Sequence, residues 1–575
     1  MSDPTVVSSR VNRLPALIGA ALFFVAFLFR LVGIGWGLKN DLHNQSYHPD
    51  ELLNFTVSQQ IEPAKGNFLP HYYDYGTLYF TLLRVTSDVV TGYTGGPEKS
   101  EDSYWEWVSR CDKAGRIVGA LFGSATALLL FLMMRRFTTL LGATLAGAVI
   151  ALAPAHVVHS RFQTVDIVAL FFIAASAYAA LRLLPPAKPD PEGEVVDARL
   201  DQKLGLKYAA LAGLFAGLSA GTKYTGILAI FTLYAVVLLA KRKRWILESL
   251  VATVVAGLAF VISTPACLLD QEKFVHDVTF EMHHAATGHG LAFLNTPNGF
   301  VFHLLNLSLG LGTILTLVCL GGLIWASMRK QLWALALLAF FVPYYILIGR
   351  QEVKFLRYTF PLYVGLAAGF GWGVAESHRR GGLAKLGVVA GICGLGGLDF
   401  GGLRAAATLT TQMVQEDPRD TAARYIRSVA TPSTRVGFAR DSWYWSVPLI
   451  ADSSVSRGVP IQKRMEALLT TSNPPVDMVT DPSGNPTTFS PLLITKIHPE
   501  LIVYTSIEAG DLLRLRDAKG LSEGDQSQVN SAVQFLGELN KSYVLDRMIG
   551  SGGLPVEDMA YINPQVYIWK RAGTP

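Results

Sequence analysis

The sequence predicts a polytopic α-helical membrane protein that carries a small α/β domain at its C-terminal end. Only 16% of its 575 residues are charged and 50% are hydrophobic, where ordinary soluble proteins carry roughly 25% charge. The mean hydropathy is +0.33. Apolar runs of membrane-spanning length recur along the chain, broken by charges or by Gly and Pro. After Leu403 that character stops, and the remaining stretch is polar enough to fold in water. Disorder, a collagen-like repeat and a disulfide scaffold are excluded, because apolar content is high, Gly has no period and there are only 4 Cys. The net charge of +5 does not point to nucleic acid, since Lys and Arg are spread over the joints between apolar runs. The partner to expect is a lipid bilayer.

A helix needs about 20 apolar residues to cross a bilayer, and about eleven such runs follow in order. They are Leu14 to Trp36, Ala114 to Met134, Thr138 to His156, Val165 to Leu184, Leu206 to Thr222, Tyr224 to Ala240, Ile246 to Thr264, Val301 to Ala326, Leu332 to Ile348, Thr359 to Ala375 and Leu383 to Leu403. The first has no small-residue cleavage site and ends in Gly33, Gly35 and Trp36, so it reads as an anchor rather than a removed signal peptide. Lys and Arg concentrate in alternate joints: Arg10 and Arg13, Arg135-Arg136, Arg182 to Lys207, Lys241 to Arg244, Arg329-Lys330, and Arg379-Arg380 with Lys385. By the positive-inside rule these joints and the N-terminus face the cytoplasm, and an odd span count puts the C-terminus outside. The inner (cytoplasmic) membrane of a cell is the expected location. The outer side then holds a first loop over 37–113, the segment Pro265 to Phe300, and the tail. Cys111 and Cys267 fall outside, where a disulfide is permitted but not established by spacing.

Two domains follow: a transmembrane part over 1–403 and an extracytoplasmic α/β domain over 404–575. In the tail, Thr421 to Val429 has helical spacing, Arg435 to Ala439 and Leu501 to Tyr504 read as strands, Ser531 to Leu539 as a helix and Val566 to Trp569 as a last strand. Asn473-Pro474-Pro475 and Asp481-Pro482-Ser483-Gly484 read as turns. No catalytic constellation is visible there, and a lid or acceptor-docking role is the default.

The residues able to do chemistry gather in the outer joints. The first loop opens with Tyr47-His48-Pro49-Asp50-Glu51 and continues to Tyr72-Tyr73-Asp74-Tyr75-Gly76-Thr77. Adjacent carboxylates beside a Pro-set turn can present one acid to a cleft; equally, both can cap the helix that starts near Leu52. The second outer joint, His159 to Asp166, contains Arg161 and ends with Asp166 at the start of a span, where a lone carboxylate is expensive unless paired or wet. Arg161 is a possible partner, and a helix cap is the plain alternative. Lys223 and Tyr224 lie between two short spans, where a Lys commonly snorkels. Arg350 to Tyr358 holds Arg350, Lys354 and Arg357 in an outer joint that disfavours positive charge, which an anion would explain. Lys354 and Arg357 are three apart, so on a helical turn they share a face and can grip a phosphate, with Tyr358 marking the interface.

The His48-Pro49-Asp50-Glu51 loop, the Thr222-Lys223-Tyr224 turn, and Lys354-Phe355-Leu356-Arg357-Tyr358 with Pro361 together resemble bacterial relatives of the protein O-mannosyltransferases. These belong to the GT-C class of membrane glycosyltransferases, family 39 and its neighbours, which include the lipid A aminoarabinose transferase. The resemblance covers Leu14 to Leu403 and extends to the tail, but the chain lacks the repeat domain of the eukaryotic members, which puts a protein acceptor in question. It implies a GT-C-like fold and inverting transfer of a sugar from a polyprenyl-phosphate-linked donor to a hydroxyl of a glycan, lipid or protein acceptor. Carried over, Asp50 becomes the general base, Glu51 its support and Asp166 the acid of the second outer loop. Lys354 and Arg357 become the cations that meet the leaving phosphate, with His48, Tyr75, Arg161, Lys223, Tyr224 and Tyr358 on the substrate side. Some GT-C enzymes use a divalent metal; Asp50, His48 and Asp166 can be imagined around one, but no cofactor is assigned. A polytopic transporter or lipid-linked sugar flippase is the alternative, weakened by the near absence of ionisable residues in the middle of several spans.

Overall fold

The computed structural model describes residues 13–98, 100–186, 201–399, 401–440, 443–449, 476–479 and 489–573. The chain is a multi-pass helical layer capped by a small mixed sheet. Among the described residues four helices are long and apolar enough to cross a membrane: α1 (Leu14–Leu31), Asp102–Met134 within α4 (Glu101–Met134), α10 (Trp245–Ser263) and α15 (Leu332–Gly349). Shorter apolar helices stand at most of the other expected runs: Leu140–Leu152, Val165–Leu181, Leu204–Ala220, Tyr224–Leu239 and Gly382–Gly396. The run Val301 to Ala326 is not one straight span. It forms α13 (Gly299–Leu311) and α14 (Thr313–Met328), which meet at 112°. The bend falls at Gly312, whose φ of +102° suits only glycine and whose α-carbon faces Gly401 so closely that a Cβ would sit 2.6 Å from it.

A second break lies inside the run Thr138 to His156. α5 (Leu140–Leu152) stops before Pro154, which has no N–H to return to the Ile150 carbonyl and instead opens α6 (Pro154–His159). The freed carbonyls are taken by Arg30, the one charged residue of α1, which is fully buried. Its guanidinium donates to Ile150 O at 2.9 Å and to Ala151 O at 3.2 Å, beside His156.

The first outer loop folds as α2 (Glu51–Gln59), a short 3-10 turn and α3 (Thr77–Thr94) before α4 begins. Gly76 lets this loop press on the turn after α8 (Asp201–Ala220): a Cβ there would lie 2.1 Å from Gly221 O. Leu78 N donates to that carbonyl at 3.0 Å, and the Tyr224 hydroxyl donates to Tyr73 O and Tyr75 O at 2.7 and 3.0 Å.

The tail begins with helices Gly402–Val414 and Pro418–Val429 and carries a five-stranded sheet in the order β2-β1-β3-β5-β4. Its strands are β1 (Arg435–Phe438), β2 (Asp477–Val479), β3 (Leu501–Thr505), β4 (Tyr543–Ile549) and β5 (Val566–Arg571), with helices Ser506–Arg514 and Glu523–Ser542 between β3 and β4. β1 runs parallel to β2 and β3, while β5 is antiparallel to β3 and β4. The turns expected at 473–475 and 481–484 lie outside the described residues. The tail is seated on the helical layer: Asp420 accepts from the Tyr47 hydroxyl and from Asn40, the Arg419 guanidinium stacks 3.6 Å from the Tyr47 ring, and Arg514 donates to the carbonyls of Leu291, Ala292 and Leu294.

Candidate active site

Asp50 and Glu51 are neighbours with opposite fates. Asp50 stands at the N-cap of α2 yet makes no capping hydrogen bond, and its side chain is 30% exposed. Glu51 is wholly buried: Arg116 donates to it through Nε at 2.8 Å and Nη2 at 2.6 Å, and Gln163 N at 2.8 Å. Burial pushes its carboxyl up, but Arg116 more than offsets this and holds it below the usual carboxylate range. Glu51 therefore locks the first loop to α4 and the second joint and does not line the cavity described below; its support of Asp50 runs through the loop and not through the reacting atoms.

Arg357 sits at the start of the 3-10 turn Leu356–Leu362 and gathers carboxylates from three separate segments. Its guanidinium lies 3.6 Å from Asp50, 3.6 Å from Asp166 and 3.7 Å from Asp558. Burial works against the charge, but Asp50, Asp558 and Asp166 reverse that and keep the group protonated. Asp166, in the first turn of α7 (Val165–Leu181), gives one oxygen to Lys223 at 2.7 Å and the other to Arg357. It is a paired counterion behind Arg357, and its partner is Lys223. Lys223 in turn lies over the rings of Tyr358 at 4.4 Å and Tyr75 at 6.0 Å, so it does not snorkel away.

Four expected substrate contacts, Arg161, Lys354, Tyr224 and His48, are engaged elsewhere. Arg161 donates to Phe29 O at 2.8 Å, Arg30 O at 3.2 Å and the Thr410 hydroxyl at 2.7 Å, satisfying the C-terminal carbonyls of α1 and tying that helix to the tail's first helix. Lys354 and Arg357 do not share a face, because the helical turn begins only at Leu356. Lys354 precedes the turn, and its ammonium donates to Thr296 at 3.1 Å and pairs with Glu352 at 3.2 Å. Tyr224 holds the first loop through its hydroxyl, as described above. His48 is buried with its ring on Phe162 at 4.5 Å; its Nδ1 accepts from Asp50 N–H at 3.2 Å, and its Nε2 meets the Tyr561 hydroxyl at 3.1 Å. Burial lowers the His48 pKa, so the ring is neutral and the Nε2 proton points at Tyr561.

A cavity of about 590 Å³ opens beside Arg357. Asp50, Tyr75, Arg357 and Tyr358 line it from the helical layer. The tail supplies Arg440, Tyr444, Glu508, Asp511, Glu557 and Asp558, none of which the sequence had marked. Burial, helped by Asp511 and Asp558, pushes the Glu557 carboxyl up to about 7, and burial pushes Glu508 to about 7. Only the Glu557-Asp558 pair in an otherwise apolar stretch hinted at this wall. A divalent cation does not fit Asp50, His48 and Asp166: the His48 nitrogens are engaged by Asp50 N–H and Tyr561, and Asp166 by two cations. Among the described residues no three His, Cys, Asp or Glu side chains are grouped to hold a metal, and Cys111 and Cys267 are free.

The architecture is that of the GT-C membrane enzymes. Residues 106–281 match the family model described as dolichyl-phosphate-mannose-protein mannosyltransferase, a stretch that includes Asp166 and Lys223 but neither Asp50 nor Arg357. The oligosaccharyltransferase AglB of Archaeoglobus fulgidus, solved with an inhibitory peptide and a dolichol-phosphate, superposes with a TM-score of 0.51 at 12% identity over 91% of this chain and 72% of that one. The same organism's oligosaccharyltransferase tethered to an acceptor peptide gives 0.50 at 13% identity, over 94% and 73%. ArnT of Cupriavidus metallidurans bound to undecaprenyl phosphate gives 0.46 at 15% identity, over 97% and 98%. No curated protein matches the sequence.

Proposed function

We propose that this protein is an inverting glycosyltransferase that moves a sugar from a polyprenyl-phosphate donor to an acceptor hydroxyl at the outer face of the membrane. One observation carries the reading: Asp50 and Arg357, far apart in sequence and each in a different joint, meet at the wall of one cavity, with Asp166 of a third joint paired to Arg357 behind it. The dolichyl-phosphate-mannose donor in the matched family's description and the dolichol-phosphate in the AglB structure favour a lipid-phosphate carrier.

The chemistry needs a base at the attacking hydroxyl and a cation at the leaving phosphate. Asp50 takes the proton of the acceptor hydroxyl, whose oxygen bonds to the anomeric carbon as the carbon–oxygen bond to phosphate breaks. The electron pair leaves on the phosphate, where the Arg357 fork, backed by Lys223, meets the charge. Arg357 is shared among three carboxylates; a phosphate that takes over part of its fork releases Asp50 for the acceptor. Joints that meet in this way lie on one side of the membrane, in keeping with an N-terminus inside and the tail outside. The tail wall of the cavity, with Tyr444, Glu557 and Asp511, is where a glycan, lipid or protein acceptor approaches. A transporter is disfavoured because the ionised cluster stands at helix ends against a folded domain rather than midway along the spans. The test is transfer by purified Asp50→Asn protein: turnover roughly 100-fold or more below wild type is expected for a positioned base, and wild-type turnover would remove Asp50 from the role.

A further inference from the structure

The sequence assigns the tail no role beyond a lid or docking module, yet one of its turns reaches both Arg357 and the loop that carries Asp50. Residues 556–562 form a compact turn, with Met559 N and Ala560 N donating to Val556 O at 3.0 and 2.9 Å and Ile562 N to Met559 O at 3.3 Å. Val556, Met559, Tyr561 and Ile562 are buried in the same hydrophobic core as the helical layer, so the turn is embedded rather than draped.

From this turn Asp558, only 1% exposed, holds Arg357 twice. Its carboxylate accepts Leu356 N–H at 3.2 Å and Arg357 N–H at 2.9 Å, the first donors of a helical turn that have no partner within it. It also lies 3.7 Å from the guanidinium of the same residue. Three residues on, the Tyr561 hydroxyl is hydrogen-bonded to Nε2 of His48 at 3.1 Å, and His48 Nδ1 accepts the Asp50 backbone N–H at 3.2 Å. A buried carboxylate is costly unless such partners exist, and here the partners are the backbone and side chain of the cation, while the Tyr561 branch ends on the backbone of the base.

We infer that the turn carrying Asp558 and Tyr561 is a positioning element of the active site: Asp558 sets the Arg357 fork for a lipid phosphate, and Tyr561, through His48, sets the loop that presents Asp50. The inference rests on the glycosyl-transfer reading above. Relative placement of base and cation is worth large factors in rate, and in this molecule it is fixed from the tail.

The full-length protein in detergent is titrated with a short-chain polyprenyl phosphate, its thermal unfolding is followed, and lipid-linked sugars are measured in cells that carry each variant. Asp558→Asn, which keeps the shape and loses the charge, should unfold like wild type, bind the polyprenyl phosphate about tenfold more weakly and accumulate lipid-linked sugar. Tyr561→Phe should bind the phosphate within about twofold of wild type yet still accumulate lipid-linked sugar. That split between binding and turnover is not expected of two merely structural residues. Wild-type binding by Asp558→Asn, or wild-type sugar pools in Tyr561→Phe, overturns the inference; should Asp558→Asn fail to fold, Tyr561→Phe alone decides. Arg357→Ala separates the two levels: if it binds polyprenyl phosphate like wild type, the glycosyl-transfer reading itself fails.

Discussion

At Arg357 one planar guanidinium answers carboxylates from three segments, and a lysine could not do the same. The fork presents several donors in fixed directions, whereas an ammonium is a compact point charge on a flexible stem. Arg357→Ala should therefore weaken polyprenyl-phosphate binding at least about tenfold, and Arg357→Lys should not restore it; titration of the purified variants checks this, and unchanged binding removes the assignment. Glu557 offers a separate test through pH. Its folded value of about 7 lies above the ordinary 4.5. Below the ordinary value both states are protonated and nothing differs. As pH rises towards 7 the unfolded state ionises while the folded one holds its proton, so stability falls, and the loss is complete above about 7. Glu557→Gln should thus be more stable than the parent near about pH 8.5, by on the order of 2 kcal/mol, and equal to it near about pH 4. Thermal unfolding at both pH values measures it.

At the scale of elements, the loop carrying Asp50 is held by a buried ion pair. Glu51 and Arg116 are both fully buried, and Arg116 also donates to Ile34 O at 2.8 Å and Trp36 O at 2.7 Å. Arg116→Ala would strand the Glu51 carboxylate and the two carbonyls, at a cost of about 3–5 kcal/mol, visible as a lowered unfolding temperature and loss of the folded loop to protease. Residue types alone could not say which acid of the pair faces the cavity. Neighbours on a helix point about 100° apart, so the answer depends on how α2 is rotated, and that is set by Arg116 and Gln163 far along the chain. For a similar reason the spacing of Lys354 and Arg357 does not put them on one helical face: the helical turn starts at Leu356, two residues after Lys354. β4 escaped the sequence because it is an edge strand, exposed along most of its length and bulged between Leu545 and Arg547, which erases the alternation that marks a strand.

At the scale of the whole molecule, apolar runs made the helical character of the layer legible, because membrane burial leaves a long and simple signature; among the described residues four helices have full spanning length and the others are shorter or bent. The breaks at Pro154 and Gly312 were not legible as bends, since each sits inside a run that stays apolar on both sides. The tail's share of the site was hidden more deeply, because Asp558 and Tyr561 meet Arg357 and His48 only once the fold has brought distant segments together. The proposed orientation is open to reporter fusions that are active only outside the membrane: placed after Lys330, Arg350 and Gly401 they should be inactive, active and active, and the reverse pattern would break the topology. The most direct test of the central claim is mass spectrometry of lipid-linked sugars and cell-surface glycans in a strain whose only copy encodes Asp50→Asn. Glycosyl transfer predicts that a polyprenyl-phosphate sugar accumulates while one sugar disappears from a surface glycan; lipid-linked and surface sugars identical to those of the parent strain would contradict it.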